Sequence, residues 1–139
     1  MLDVTHDATG ELLWRVVVRD RFRVDLDYTN SLFNVPATDR FLVDGLRLRL
    51  VEVSSTREAV LLQAGLEGPF TERGGYFVAK RPGPALAELT IRIGQTGQQR
   101  LVVGGRRVPI YMVGVGEAVR VRLMRVPRAL ALAARLTPP

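Results

Sequence analysis

Apolar and polar residues alternate along most of this chain. The repeat is two, which marks strands with one buried face. Residues 21–28 show it most clearly. Phe22, Val24, Leu26 and Tyr28 fall on one side, and Arg23, Asp25 and Asp27 on the other. The same pattern predicts strands over 11–18, around Trp14, and over 39–43, 46–53, 76–80, 88–93, 100–103, 106–112 and 118–126. Residues 59–66 are apolar and fit either a strand or a short helical turn. Pro36 makes 30–38 a loop. Asp44-Gly45 is the dipeptide favoured in a two-residue type I′ hairpin, and it would leave Leu46, Leu48 and Leu50 facing inward. Leu50-Val51 interrupts the alternation and suggests a bulge or burial on both sides. Gly74-Gly75 precedes one strand, and Gly104-Gly105 joins the hairpin of 100–103 with 106–112. Loops are read at 81–84 and 94–98.

Turn signals every 8–12 residues or so, with connections too short for crossover helices, predict an all-β fold. The expected architecture is a mainly antiparallel β-sandwich or barrel of eight to nine short strands. A short C-terminal helix fits the Ala- and Leu-rich residues 128–136. The expected core comprises Phe22, Val24, Leu26, Leu48, Leu50, Ile91, Ile93, Val121 and Leu123.

Length and composition narrow the picture. The chain has 139 residues, enough for one domain with a real core. We read 1–139 as that single domain, with a core at 11–126 and a helical or flexible tail at 127–139. Cysteine is absent, which excludes disulfides, thiolate metal sites and a cysteine nucleophile. Residues 1–10 hold no basic region followed by an apolar one, so no signal peptide is expected in them. The place is cytoplasmic if that start is genuine.

The net charge is +6, carried by nineteen arginines and Lys80. Arg23, Arg47, Arg49, Arg92, Arg120 and Arg122 are expected to point outward and could form one basic face. Nucleic-acid surfaces interleave such groups with stacking aromatics, whereas Phe22, Tyr28, Phe41 and Tyr76 lie on the apolar faces. A solvated face is the simpler account, and an anionic membrane surface is a further candidate partner. A cytoplasmic nucleic-acid-binding β-barrel is the alternative reading.

The inventory for catalysis is thin. His6 is the only histidine. It sits with Asp3 and Asp7 in a start expected to be mobile, without the three or four ligands a metal needs. Asp25 and Asp27 have the spacing of paired acid/base carboxylates, yet Arg23 beside them points to cross-strand ion pairs. Residues 94–97 lack the Lys-Ser/Thr of a phosphate loop. No catalytic residue, metal or cofactor is expected. Tyr28-Thr29-Asn30-Ser31 ends a strand with four hydrogen-bonding side chains, where a binding loop often sits.

The stretch 14–125 resembles a small bacterial family, domain of unknown function 1850. The residues that carry the likeness are Trp14, the alternating strand from Phe22, Tyr28-Thr29-Asn30-Ser31-Leu32, Asp39-Arg40-Phe41, Gln63-Ala64-Gly65-Leu66-Glu67 and Gly75-Tyr76-Phe77. Three positions depart from the family pattern, one at the strand end and two in the loop. Asn30 stands where a histidine is usual, and Gln63 and Glu67 replace Gly and Pro. Members are encoded beside or fused to TRAP-type transporters of the TAXI subclass, which move carboxylates. The resemblance therefore implies a non-catalytic accessory of solute uptake, extracytoplasmic or membrane-associated, with the TRAP permease or its solute-binding protein as partner. It places binding at Tyr28, Asn30, Ser31, Ala64, Gly65 and Leu66. Asn30 and Ser31 are expected to form a hydrogen-bonded node with the 64–67 loop.

Overall fold

The computed structural model describes residues 1–80, 83–96 and 98–125. The tail at 127–139 with its expected helix lies outside the described residues, as do parts of the loops expected at 81–84 and 94–98. The described chain is all-β and antiparallel, in two sheets.

The smaller sheet has four strands: β1 (Leu2–His6), β2 (Leu12–Val16), β9 (Glu88–Arg92) and β12 (Ala118–Leu123), in the order β2-β1-β12-β9. The larger has eight. Along its main path lie β11 (Arg106–Val108), β10 (Arg100–Val103), β3 (Arg23–Asn30), β4 (Val35–Asp44), β5 (Arg47–Ser55), β7 (Tyr76–Lys80) and β6 (Thr71–Arg73), and the short β8 (Ala85–Leu86) pairs with β5. One short helix, α1 (Glu58–Gln63), lies against β5 and β7. It settles the ambiguity over 59–66.

The inner faces of the two sheets meet in one core. Leu2, Val4, Val119 and Val121 of the small sheet are fully buried, and so are Val24, Leu48, Leu101 and Val103 of the large one or nearly so. The sandwich buries Val24, Leu26, Leu48, Ile91, Ile93, Val121 and Leu123 as the alternation predicts, while Phe22 and Leu50 pack at its margin.

The structure corrects the sequence reading at four places. First, the start is not a mobile polar segment. Residues 2–6 form β1, an interior strand that pairs Leu2 with Leu123 and Val4 with Val121. His6 ends it, with Nε2 3.0 Å from Glu117 Oε2 and Nδ1 accepting from Thr9 N–H at 3.3 Å.

Second, the β4–β5 hairpin is shifted by one residue. Asp44 pairs with Arg47, so the turn is Gly45-Leu46. Gly45 has φ +62°, and Leu46 is not in the left-handed region. That is the type II′ demand, with glycine needed only at the first turn position. Leu46 therefore sits exposed at the tip instead of facing inward. Gly104 and Gly105, at φ +55° and +81°, do meet the I′ requirement of both turn residues.

Third, 30–38 is no open loop. β3 runs to Asn30 and pairs with Val35, and Pro36 lies opposite Thr29. Fourth, the strand expected over 106–112 ends at Val108. Pro109 has no N–H for the ladder, and a 3₁₀ turn, Ile110–Val113, follows. Sequence reading also missed the short β6 and β8.

Candidate functional site

A bulge organises the site. Arg40 pairs with Glu52 and Phe41 with Leu50, so Val51 is an extra residue in β5. One extra residue reverses strand parity. Leu48 and Leu50 before the bulge therefore share the inner face with Val53 and Ser55 after it. Glu52 turns to the outer face, opposite Arg40. The expected bulge at Leu50-Val51 is present, and it divides the large sheet into an apolar inner side and a charged outer side.

On β4, Ala37, Asp39, Phe41 and Val43 share the inner face by the same period of two. Asp39 is the charged member of that row. It lies beside Leu26 of β3 and Val53 of β5 in register. This end of the large sheet is covered by α1, which buries Val60 and Leu61. Between α1 and the sheet is a cleft of about 390 Å³, lined by Tyr28, Asn30, Asp39, Leu50, Val53, Val60, Gln63, Ala64 and Leu66.

Four residues singled out from the sequence thus converge on one cleft: Tyr28, Asn30, Ala64 and Leu66. Gly65, at φ +82°, lines an adjoining depression with Leu66, Phe70 and Lys80. Ser31 lies on the other side of the β3 end, with Gln95, Thr96 and Gln99.

The node expected at Asn30 exists in altered form. Asn30 Nδ2 donates to Gln63 Oε1 at 3.3 Å, the last residue of α1 rather than the loop beyond it. Asn30 Oδ1 accepts from Leu32 N–H at 3.1 Å and Phe33 N–H at 3.0 Å, closing the turn between β3 and β4. Ser31 makes no side-chain hydrogen bond in this node. These bonds are partly open to water, so Asn30→Ala is expected to lower stability by about 1 kcal/mol. Ser31→Ala should stay within about 0.5 kcal/mol of the parent. Urea unfolding of the two variants checks this; equal effects would remove Asn30 as the fastening point.

Sequence reading missed Asp39. Tyr28 Oη donates to Asp39 Oδ1 at 3.2 Å. Burial pushes the Tyr28 phenol well above its usual range, and the Asp39 charge adds to this. Burial also pushes the Asp39 carboxyl up, with the Tyr28 hydrogen bond offsetting part of the effect. The available signal was phase. Asp39 lies two residues before Phe41 and four before Val43, on a face otherwise apolar.

The outer face of the large sheet carries the ion pairs expected of Asp25. Arg40 Nε donates to Asp25 Oδ1 at 3.0 Å, and Arg23 lies 3.5 Å from the same carboxylate. Asp27 instead accepts from the Thr38 hydroxyl at 2.9 Å. The outward arginines do not make one basic face. Arg92, Arg120 and Arg122 are on the small sheet, and Arg23, Arg47 and Arg49 on the large one. Most are engaged: Arg49 with Asp44 and the Gly83 carbonyl, Arg47 with the Ala85 carbonyl, Arg92 with the Gly116 carbonyl, and Arg120 with Asp7.

Among the described residues, no cluster of three or more His, Asp or Glu is arranged to share a metal ion, and no helix is long and apolar enough to cross a membrane. Comparison with protein-family models, with curated proteins and with solved structures finds no match for this chain.

Proposed function

We propose that the chain is a non-catalytic binding module of a TRAP-type (TAXI) uptake system and takes a small ligand in the cleft beneath α1. The observation that carries the binding part is convergence. Tyr28 and Asn30 of β3, Asp39 of β4, and Gln63, Ala64 and Leu66 at the end of α1 line one cleft, although they are far apart in sequence. Apolar walls with a few convergent polar groups are the usual make-up of a small-molecule site. Its volume, about 390 Å³, suits a small solute. The non-catalytic part is supported by the thin inventory for acid/base and nucleophilic chemistry: no cysteine, one histidine remote in sequence from the cleft residues, and a cleft carboxyl hydrogen-bonded to a phenol. A phenol held above its ordinary range donates a hydrogen bond at neutral pH but does not shuttle protons. Among the described residues, the cleft is lined by one carboxylate, one phenol and two amides besides its apolar side chains.

The transporter part rests on the ordered residues from Trp14 to Arg125 that resemble domain of unknown function 1850. A tagged chain, expressed with a TAXI-type permease and its solute-binding protein, is expected to retain one of them on purification. Retention of neither by folded protein would remove the transporter from the reading and leave the cleft untouched.

A buried carboxyl kept for binding also leaves a mark on stability. The native Asp39 holds its proton to higher pH than the unfolded chain does. Between the ordinary carboxylate range and that raised value, the unfolded state has fewer bound protons, so stability falls as pH rises. Asparagine at this position can still accept from Tyr28 and carries no charge. Asp39→Asn is therefore expected to melt higher than the parent at neutral pH, with the gap closing in acid. A variant that melts lower at neutral pH would show that the charge of Asp39 supports the fold.

A further inference from the structure

We infer that the ligand of this cleft presents a primary ammonium group to Asp39, on an apolar body small enough to lie between α1 and β5. The inference rests on the cleft being a binding site and adds the chemistry of what it takes.

The first ground is charge. Asp39 is the one charged side chain lining the cleft, and no cation faces it there among the described residues. Its neighbours in the sheet are Leu26 and Val53, and α1 brings Val60 and Gln63. Elsewhere in this protein the buried carboxylates have arginine partners: Asp3 with Arg15, Asp25 with Arg40, and Glu52 with Arg40 and Arg73. In a chain with nineteen arginines, the half-buried carboxylates without an arginine partner among the described residues are Asp27 and Asp39; Asp27 bonds to Thr38 on the outer face, and Asp39 is the one that lines a cleft. A charge partly withdrawn from water is favoured by a counter-charge or added donors, and a ligand can bring both.

The second ground is the balance of donors and acceptors. Asp39 Oδ1 is taken by Tyr28, and Oδ2 has no donor among the described residues. The Asn30 Oδ1 is committed to two backbone N–H groups, and one N–H of Nδ2 is given to Gln63. The cleft therefore offers a carboxylate oxygen and an acceptor lone pair of the Tyr28 hydroxyl beside Asp39, and the neutral amide donors of Gln63 and Asn30 at its end on α1. An ammonium supplies three donors and the missing positive charge in one group. A carboxylate ligand would place a second negative charge beside Asp39 with no cation between them. An alcohol could donate one hydrogen bond and leave the charge uncompensated. A carboxylate solute of the transporter would thus be held here only if it also carried an ammonium. Leu50, Val53, Val60 and Leu66 define the apolar side, which receives the ligand body.

Binding of a cation favours ionised Asp39. Affinity should therefore fall as pH drops and Asp39 takes up its proton. Tyr28 stays protonated throughout this range, since its shift is upward.

Three probes of one shape separate the possibilities: isobutylammonium, isobutanol and isobutyrate, each titrated into the full chain and followed by amide chemical shifts. The ammonium is expected to saturate with shifts centred on Tyr28, Asp39 and Ala64, and to bind on the order of tenfold tighter than the other two, the scale of one charge-assisted contact. Its affinity should weaken on acidification. Asp39→Asn, checked for folding by its melting curve, should bring it down to that of the alcohol. Binding of the alcohol or carboxylate as tight as that of the ammonium would overturn the inference and retain the cleft as a site. No saturable shift with any of the three would overturn both.

Discussion

Leu48→Ala is expected to destabilise the protein by about 2–5 kcal/mol, the range for a buried leucine cut back to alanine in a close-packed core. Leu48 is 1% exposed. It sits on β5, opposite Val43 of β4 and Leu86 of β8, in the cluster shared by both sheets. Its neighbours are held by ladders on both sides, so the space left by the lost carbons cannot collapse freely. The same substitution at two nearby positions makes the test specific. Leu46, at the hairpin tip, is 45% exposed, and its truncation should change stability by no more than about 0.5 kcal/mol. Leu50 borders the cleft beneath α1 and should fall between them. Urea unfolding at constant slope gives all three values. Simple alternation would put the three leucines on one face and make their costs alike. Equal costs for Leu46→Ala and Leu48→Ala would overturn the Gly45-Leu46 turn.

Much of the fold is legible in the sequence, because period-two alternation is local and the sandwich is built from it. β3, β5 and β12 carry their inner faces in plain view. The bulge is visible too, since Leu50-Val51 breaks a pattern that Val53 then resumes in the opposite phase. What escaped notice depends on partners far away in the chain. Residues 2–6 look like a polar start because Asp3, Thr5 and His6 surround only two apolar positions. Leu2 and Val4 become core only when β12 and β2 pair on either side, more than a hundred residues away for β12. Asp3 is tolerated there because Arg15 binds it through both oxygens at 2.7 Å. The II′ turn escaped because Asp-Gly fits two registers, both of which face Leu48 inward; they differ in whether Leu46 joins that face or sits at the tip.

The candidate site was legible in half. Tyr28 and Asn30 stand out as polar residues at a strand end, Ala64 and Leu66 come only from the family resemblance, and all four line one cleft. Asp39 figured as the start of a strand and in the Asp39-Arg40-Phe41 likeness, not as a site residue. Its inward direction follows from phase with Phe41 and Val43, while its place in the middle of a strand needs β4 to extend back through Pro36, which the proline argued against. Pro36 is accommodated because β4 needs no donor from it: its carbonyl accepts from Ser55 Oγ at 2.8 Å, and the ladder to β5 begins at Ala37.

Arg40→Ala is the other change expected to be large, at about 3 kcal/mol, toward the low end of what is lost when a buried charge pair loses one partner. Arg40 bridges two strands on the outer face of the large sheet. Its Nε and Nη2 donate to Asp25 at 3.0 and 3.4 Å, and its Nη1 donates to Glu52 at 3.0 Å. Asp25 and Glu52 are only 7% and 6% exposed. Without Arg40, Asp25 keeps Arg23 at 3.5 Å and Glu52 keeps Arg73 at 2.8 Å, which is why the loss should not reach the top of the range. The pH dependence identifies the mechanism. The Arg73 hydrogen bond, against the effect of burial and aided by the charges of Arg40, Arg73 and Lys80, holds the Glu52 carboxyl below its usual range. A carboxyl depressed in the folded state contributes stability above its unfolded value, and that contribution is lost as pH falls through the folded one. The gap between Arg40→Ala and the parent should therefore be widest at neutral pH and narrow in acid, opposite in direction to the Asp39 effect on the parent. Replacing the whole group, as Asp25→Leu with Arg40→Met and Glu52→Leu, removes both the charges and their desolvation, and should cost less than Arg40→Ala alone. If Arg40→Ala melts within error of the parent at neutral pH, Asp25 and Glu52 are hydrated well enough to do without a bridging cation. The outer face would then be an ordinary charged surface, with the strand order held by the inner face alone.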